Sequence, residues 1–362
     1  AVVGFGSSAG ASDVLNNPYM FASPAEKWAT QIAVLDKYLQ LLFFPHPLSA
    51  DYSYNTIPYL HFYNWQVLLA ILIHVTLIIS FFILFKKRNI LAFAIAFYLI
   101  HLLMVSNFIM DIGATMGERL IYHSSLGFAM CLAVGIHFLI SKTKHRIPVK
   151  IICLSALFLL SASVIIPRNE DWKNDTTLFI KDVQTVPNSV LANGNAGKAY
   201  VDLSEKPENK NVENELLQKA KYYLEKAIKL HPKYVNGYLN LGVCYLKLKN
   251  YDKAKQCWDT VSKLYPNNPY LLRNYKVLSF AYLQQALTIG PKAPEKAITL
   301  LEKAALIDSQ NPDIWYNLGG ASYTVKNYKR AKEAWEKTLA LKPDYELAKR
   351  GVILSSCVEY FL

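Results

Sequence analysis

The sequence predicts an all-α protein in two unlike parts, a polytopic bundle of transmembrane helices followed by a solenoid of paired helices. Three observations predict it. Four apolar runs of about twenty residues fill the first half, each long enough to cross a hydrocarbon core of about 30 Å. The second half repeats a pattern of large and small residues with a period of about 34. The composition joins the two: the 362 residues are 52% hydrophobic and 18% charged, yet mean hydropathy is only modestly positive, because a lipid-like half is averaged with a Lys/Glu-rich one. The boundaries are set at residues 1–64 for an extracytoplasmic, interfacial segment, 65–167 for four transmembrane helices, and 168–362 for the repeats.

The chain opens at Ala1 with no initiator methionine and no charged or apolar leader pattern, so it reads as an internal start with a further N-terminal portion expected upstream. In the first segment Trp28, Ile32, Leu35, Leu39 and Leu42 recur at helical spacing, interrupted by Gln31, Asp36, Lys37 and Gln40. This predicts an amphipathic helix over residues 28–44, lying on the outer membrane surface or as a short tilted or re-entrant piece. The prolines of Phe43-Phe44-Pro45-His46-Pro47 end it, since proline has no N–H to donate and restricts the residue before it. Tyr59, Phe62, Tyr63 and Trp65 then read as an aromatic belt at the membrane interface.

The four runs are Trp65–Phe85, Ile90–Ile109, Leu120–Ile140 and Ile147–Ile166. Lys86, Lys87 and Arg88 separate the first two, and Lys142, Lys144, Arg146 and Lys150 lie between or just inside the last two. Positive loops stay in the cytoplasm, so both should be cytoplasmic. Residues 1–64 and everything after Pro167 are then expected outside, in the periplasm or the ER lumen. The formal charge of +12 forms no single basic block, and membrane topology and solvated helix faces explain it without nucleic acid. Cys131, Cys153, Cys244, Cys257 and Cys357 show no paired spacing, which predicts neither a metal site nor a disulfide framework. His74, His101 and His137 read as packed or hydrogen-bonded within the bundle.

One polar cluster resists a packing explanation. On a continuous helix Glu118, Tyr122 and Ser125 share a face at the start of the third run, with Arg119 beside them. Ionisable groups at this depth face a protein interior or an aqueous cavity, and an arginine's planar fork grips phosphate. The plainer alternative is that Glu118 and Arg119 only anchor the helix end at the interface.

In the second half, Tyr238, Leu241, Gly242, Tyr245, Ala254, Trp258 and Pro266 match the tetratricopeptide-repeat pattern in full. Trp315, Leu318, Gly319, Ala331, Trp335 and Pro343 match it again, with Ser322 where a large residue is usual. An earlier unit runs from Gly197 and Tyr200 to Ala220, Leu224, Ala227 and Pro232, with a polar insertion near residues 205–214. Another runs from about Pro269, with an insertion near residues 290–294, to Ala297, Leu301 and Ala304. Four repeats result, followed by a helix from about Asp344 that caps the stack or begins a fifth. In this register Asn195, Asn240, Asn274 and Asn317 occupy one position, just before the Leu-Gly pair or its equivalent. On the inner face they would form an amide ladder along an extended acceptor peptide; alternatively, asparagine there is a common feature of the repeat and only solvates the groove.

Taken together, Asn17-Pro18, the stretch from Phe43 through Pro45-His46-Pro47-Leu48-Ser49-Ala50-Asp51-Tyr52 to Ile57-Pro58, the Glu118-Arg119, Tyr122, Ser125 and Gly127-Phe128 motif, and Trp172 and Phe179 leading into repeats resemble the transmembrane and tetratricopeptide-repeat protein O-mannosyltransferase family, in order and over nearly the whole chain. Ser124 departs from the proline that family members have before the motif serine, so the local turn is expected to differ. The resemblance implies a glycosyltransferase of the GT-C type, which takes a sugar, here mannose, from a polyprenyl- or dolichyl-phosphate carrier to protein Ser/Thr outside the cytoplasm. It implies no cofactor beyond that lipid-linked donor, acceptor proteins as partners, and a catalytic carboxylate in an external loop upstream of this chain. Arg119 is then expected at the departing phosphate, helped by Tyr122 and Ser125, with Glu118 orienting Arg119 and Asp111 a weak candidate for acceptor or metal contact. The other readings are a membrane-anchored, non-catalytic repeat scaffold for envelope proteins and a lipid-phosphate carrier component.

Overall fold

The computed structural model describes residue 15 and residues 17–142 and 146–361, and among these there are helices and turns but no strand. Lys144, one of the topology residues, lies outside the described residues. The chain forms two compact units, residues 1–210 with 222–232, and residues 211–221 with 233–362. The division runs through the first repeat, so the first unit holds more than the apolar helices.

In the first unit α1 spans Pro24–Phe43. Proline at its first position and a reciprocal cap start it: the Ser23 N–H donates to Glu26 Oε2 (2.8 Å) and the Glu26 N–H to Ser23 Oγ (3.3 Å). The prolines after Phe44 stop it, as expected. The buried face is not the stripe of large apolar residues. Ala29, Ala33, Val34 and Tyr38 point inward together with Gln31 and Asp36, while Trp28 and Phe43 point out. Gln31 Nε2 donates to the Asn107 carbonyl (2.8 Å) and Gln40 Nε2 to Asp36 Oδ2 (2.6 Å). The helix therefore packs into the bundle, against α2 (Trp65–Lys86), rather than resting on its surface. The reason is the solvent: large apolar side chains gain little by leaving lipid, whereas small ones allow close approach and polar ones find partners inside.

The second apolar run is interrupted. Helix α3 covers Ile90–Met104 only, about 22 Å at 1.5 Å per residue and short of the hydrocarbon thickness. Ser106 and Asn107 divert the chain: Asn107 takes positive φ (61°), accepts from the Ile112 N–H (2.9 Å) and donates to the Ala114 carbonyl (3.0 Å). Among the described residues three helices, and not four, are long and apolar enough to cross a membrane: Trp65–Lys86, Glu118–Ser141 and Ile147–Asp171. The middle one begins as a 3₁₀ turn at Glu118–Ile121 and continues as α4, Tyr122–Ser141. Gly127 lets α4 cross α3 closely, since a Cβ there would stand 2.6 Å from the Ala94 carbonyl and the Tyr98 nitrogen. Helix α5, Arg146–Asp171, continues through Pro167, five residues past the end of the apolar run at Ile166. His74 and His101 are held to carbonyls of their own helices by Nδ1, each at 2.8 Å; His137 is exposed, against expectation.

Helices α6 (Asp175–Thr185), α7 (Val190–Ser204) and α8 (Glu213–Leu230) follow, the last shared between the units. The second unit pairs α9 (Val235–Lys247) with α10 (Tyr251–Leu264), α11 (Leu271–Ile289) with α12 (Pro294–Ile307) and α13 (Pro312–Thr324) with α14 (Tyr328–Leu341), and ends with α15 (Glu346–Phe361) against α14. The interlock repeats. A side chain at Gly242 or Gly319 would run into the indole of Trp258 or Trp335, and each indole N–H donates to the partner helix, to the Leu239 carbonyl (3.2 Å) and the Tyr316 carbonyl (3.1 Å).

The third repeat has a different register from the one expected. Leu278 and Ser279 are the buried pair, with Tyr275 before them and Tyr282 after, whereas Lys276 is exposed. Ser279 fills the glycine slot and donates to the Ala304 carbonyl (3.0 Å). The residue preceding the pair is therefore Val277, and Asn274 leaves the ladder position. Three residues more than the 34-residue period separate Leu241 from Leu278 (278 − 241 = 37), and burial reveals the shift. Ser279→Ala should cost about 1 kcal/mol by losing this hydrogen bond, while Lys276→Ala stays within about 0.5 kcal/mol. Denaturant unfolding followed by circular dichroism measures both, and the reverse order would restore the earlier register.

A candidate site at the ends of the apolar helices

Two stretches far apart in sequence run side by side in the first unit. The Tyr52 N–H donates to the Met116 carbonyl (2.9 Å), the Glu118 N–H to the Ser49 carbonyl (3.3 Å), and the Gly117 N–H to the Tyr38 hydroxyl (3.3 Å). The loop after α1 is thereby stitched to the turn that begins α4. Arg168, carried to this level by the continuation of α5 past Pro167, ties the pair to α6. Its Nε and Nη2 donate to Glu118 Oε1 at 2.9 and 2.6 Å, Nη2 donates to Asp182 Oδ1 on α6 at 3.0 Å, and Nη1 to Asp171 Oδ2 at 3.3 Å. Arg168 is 9% exposed and Asp182 5%. Trp172 Nε1 adds a hydrogen bond to Glu118 Oε1 (2.8 Å), and the Ala50 N–H donates to Asp182 Oδ2 (2.9 Å). One guanidinium thus joins the turn that begins α4 to α6, whose Asp182 in turn holds the loop at Ala50, and the fork geometry of arginine suits it to this.

The backbone makes a second join. The Val190 N–H donates to the Tyr54 carbonyl (2.8 Å) and the Asn55 N–H to the Asn188 carbonyl (3.2 Å), while Tyr52 packs on Val183, Val186, Ala192 and Ala196. Burial raises the carboxyl pKa of Asp182, opposed by the Ala50 N–H and Arg168. Burial raises that of Asp51 too, opposed by its hydrogen bond from Ser53 and the charge of Arg119. The phenol of Tyr52 is pushed up to about 12, again chiefly by burial.

The expected site residues separate here. Glu118 does not orient Arg119; its carboxylate is taken by Arg168 and Trp172. Because Glu118 lies on a 3₁₀ turn, it does not continue the α4 face that carries Tyr122 and Ser125. The Ser125 hydroxyl donates to the Tyr122 carbonyl (2.6 Å). Tyr122 is 76% exposed, and Arg119 is exposed with no ion pair among the described residues, its charge felt by Asp51. Asp111 is paired with Lys27 (3.1 Å). In the repeats Asn195, Asn240, Asn274 and Asn317 are all partly exposed, and Asn317 Nδ2 donates to the Asp313 carbonyl (2.7 Å). Sequence reasoning missed Arg168 and Asp182. The signal available was an arginine directly after an apolar run and an aspartate on the apolar face of an amphipathic helix.

Comparison with known proteins agrees with this division. The tetratricopeptide repeat family matches residues 212–273 and again 312–345. The human protein O-mannosyl-transferase TMTC3 is 25% identical over 284 residues, which cover 67% of this chain and 30% of that protein. Mouse protein O-mannosyl-transferase TMTC4 is 31% identical over 116 residues, 32% of this chain and 16% of that protein. A tetratricopeptide-repeat protein of Bacteroides fragilis covers 52% of this chain and 95% of its own, at 17% identity and a TM-score of 0.38. The chain therefore spans about a third of the human relative's length. The chain is thus similar in sequence to proteins named protein O-mannosyl-transferase, and it carries tetratricopeptide repeats of its own.

Proposed function

We propose that this chain is the C-terminal part of a membrane glycosyltransferase that moves a sugar, mannose, from a polyprenyl- or dolichyl-phosphate carrier to Ser/Thr hydroxyls of proteins recruited by its repeats. The observation that carries the reading is the convergence of the loop at residues 49–52, the Glu118–Arg119 turn and Arg168 at one end of the apolar helices. Transfer breaks the bond from the sugar's anomeric carbon to phosphate oxygen and forms one to the acceptor oxygen. The phosphate leaves with the electron pair, and the acceptor proton goes to a base expected upstream of this chain. Arg119 meets the departing phosphate charge, with Tyr122 as a second donor; Glu118 builds the turn that presents them, and Ser125 braces α4.

The carrier's lipid tail has a fitting neighbour. A groove of about 410 Å³, lined by Leu39, Phe43, Leu77, Phe128 and Leu132 among others, runs between the helices of the same unit. The basic connections Lys86–Arg88 and Lys142 end the opposite termini of the spanning helices from Glu118 and Arg168, which supports an extracytoplasmic site and repeats. Asn240→Ala combined with Asn317→Ala should lower acceptor glycosylation about tenfold while leaving donor binding unchanged. Membranes holding the protein, given dolichyl-phosphate mannose and an acceptor, measure it, and an unaltered acceptor profile would sink the ladder's role. Absence of any transfer in such membranes would favour a non-catalytic scaffold.

A further inference from the structure

The corrected register of the third repeat changes the chemistry of the groove. The residue before the buried pair is Asn240 on α9, Val277 on α11 and Asn317 on α13; the residue after the pair is Val243, Phe280 and Gly320. An amide ladder engages peptide backbone and is indifferent to sequence. Here an apolar rung interrupts it. Val277 is 44% exposed, Phe280 56%, and Leu287 on the same face 44%. Helix α11 has 19 residues against 13 in both α9 and α13, and Leu287 stands in the extension. Its buried side is fully used, with Tyr275 and Tyr282 donating to Asp259 (2.8 Å) and Asp252 (2.7 Å) of α10. Val277 and Phe280 are therefore not needed for the interlock. Arg273 and Lys276 flank them on the exposed face, with no ion pair among the described residues. At the side of Gly320 an added Cβ would meet nothing within 4 Å, leaving open space at that rung.

We infer that the exposed face of α11 is an anchoring site for an apolar side chain of an extended polypeptide with acidic flanking residues, held by backbone contacts to the asparagines of the neighbouring repeats. The inference rests on the reading of the repeats as the acceptor-holding arm, and it makes acceptor choice selective rather than sequence-neutral. Burial of the anchor supplies affinity, and the two cations supply the charge preference.

The test uses the whole chain in detergent, without sugar donor, and short fluorescein-labelled Ser/Thr peptides carrying one central leucine between aspartates. Phe280→Glu should weaken binding about tenfold or more, and Phe280→Leu should retain most of it. Replacing the peptide's leucine with serine should weaken the wild type equally and cost the Phe280→Glu variant nothing further. Leu306→Glu, which removes a still more exposed apolar side chain from α12 (85% exposed), should leave affinity unchanged. Equal affinities for both peptides and both proteins would overturn the site. So would loss of binding to phosphatidylcholine–phosphatidylserine vesicles with peptide binding intact, since the face would then contact membrane. Because donor is absent, the binding assay is independent of transfer: peptide binding here, with no transfer in the donor-supplied membranes described above, would refute the proposed function and leave this inference standing.

Discussion

Replacing Arg168 with methionine is expected to lower the stability of the first unit by about 3–5 kcal/mol, because removing one partner strands buried charge. Glu118 and Asp182 would face each other without their shared cation, and the Trp172 bond to Glu118 could not compensate. Thermal unfolding in detergent reads the loss. Glu118→Gln in the Arg168→Met background should recover part of it by removing one of the stranded charges, which separates an electrostatic cause from lost packing. Arg168→Lys should fall between, since a point charge cannot reproduce the two-pronged bond. An Arg168→Met protein as stable as the wild type would mean that the knot is decorative.

The neighbouring motif arginine should behave in the opposite way. Arg119 is exposed with no ion pair among the described residues, so Arg119→Ala should leave unfolding unchanged and reduce transfer by about a hundred- to a thousandfold, the usual effect of losing one preorganised donor at a developing anion. The loss should appear in kcat, with Arg119→Lys recovering some of it. Intact turnover in Arg119→Ala would end the phosphate role. These two arginines therefore divide structure from chemistry, and measuring stability and turnover on both variants tests that division directly.

Legibility in the sequence varied with the physics of each element. The repeats announced themselves because the tryptophan of one helix must lie against the glycine of the next, an arrangement that forces a spacing within a few dozen residues. The third repeat was misread because a strict 34-residue period was carried over from the second, whereas Leu241 and Leu278 stand 278 − 241 = 37 positions apart, so Asn274 stood where Val277 belonged; burial of Leu278 and Ser279 resolved it. Helix α1 was recognised as amphipathic, but not that its small and polar residues face the other helices, because helical spacing locates an apolar stripe without saying whether lipid or protein covers it. Arg168 went unnoticed because it lies just past the apolar run, where a charge at a span end is ordinary, and its partners lie on other elements.

By itself the sequence determined which segments are helical, which can enter a membrane and that the second half is a repeat array, since hydrophobic run length and short-range periodicity act between neighbours along the chain. The tertiary structure alone decided which charges meet. Glu118 and Arg168 stand 50 positions apart and Ala50 and Asp182 132 apart, and an ion pair is set by distance in space, which no local pattern records. That Arg168 is buried among carboxylates while Arg119 stays exposed is visible only once the chain has folded around them.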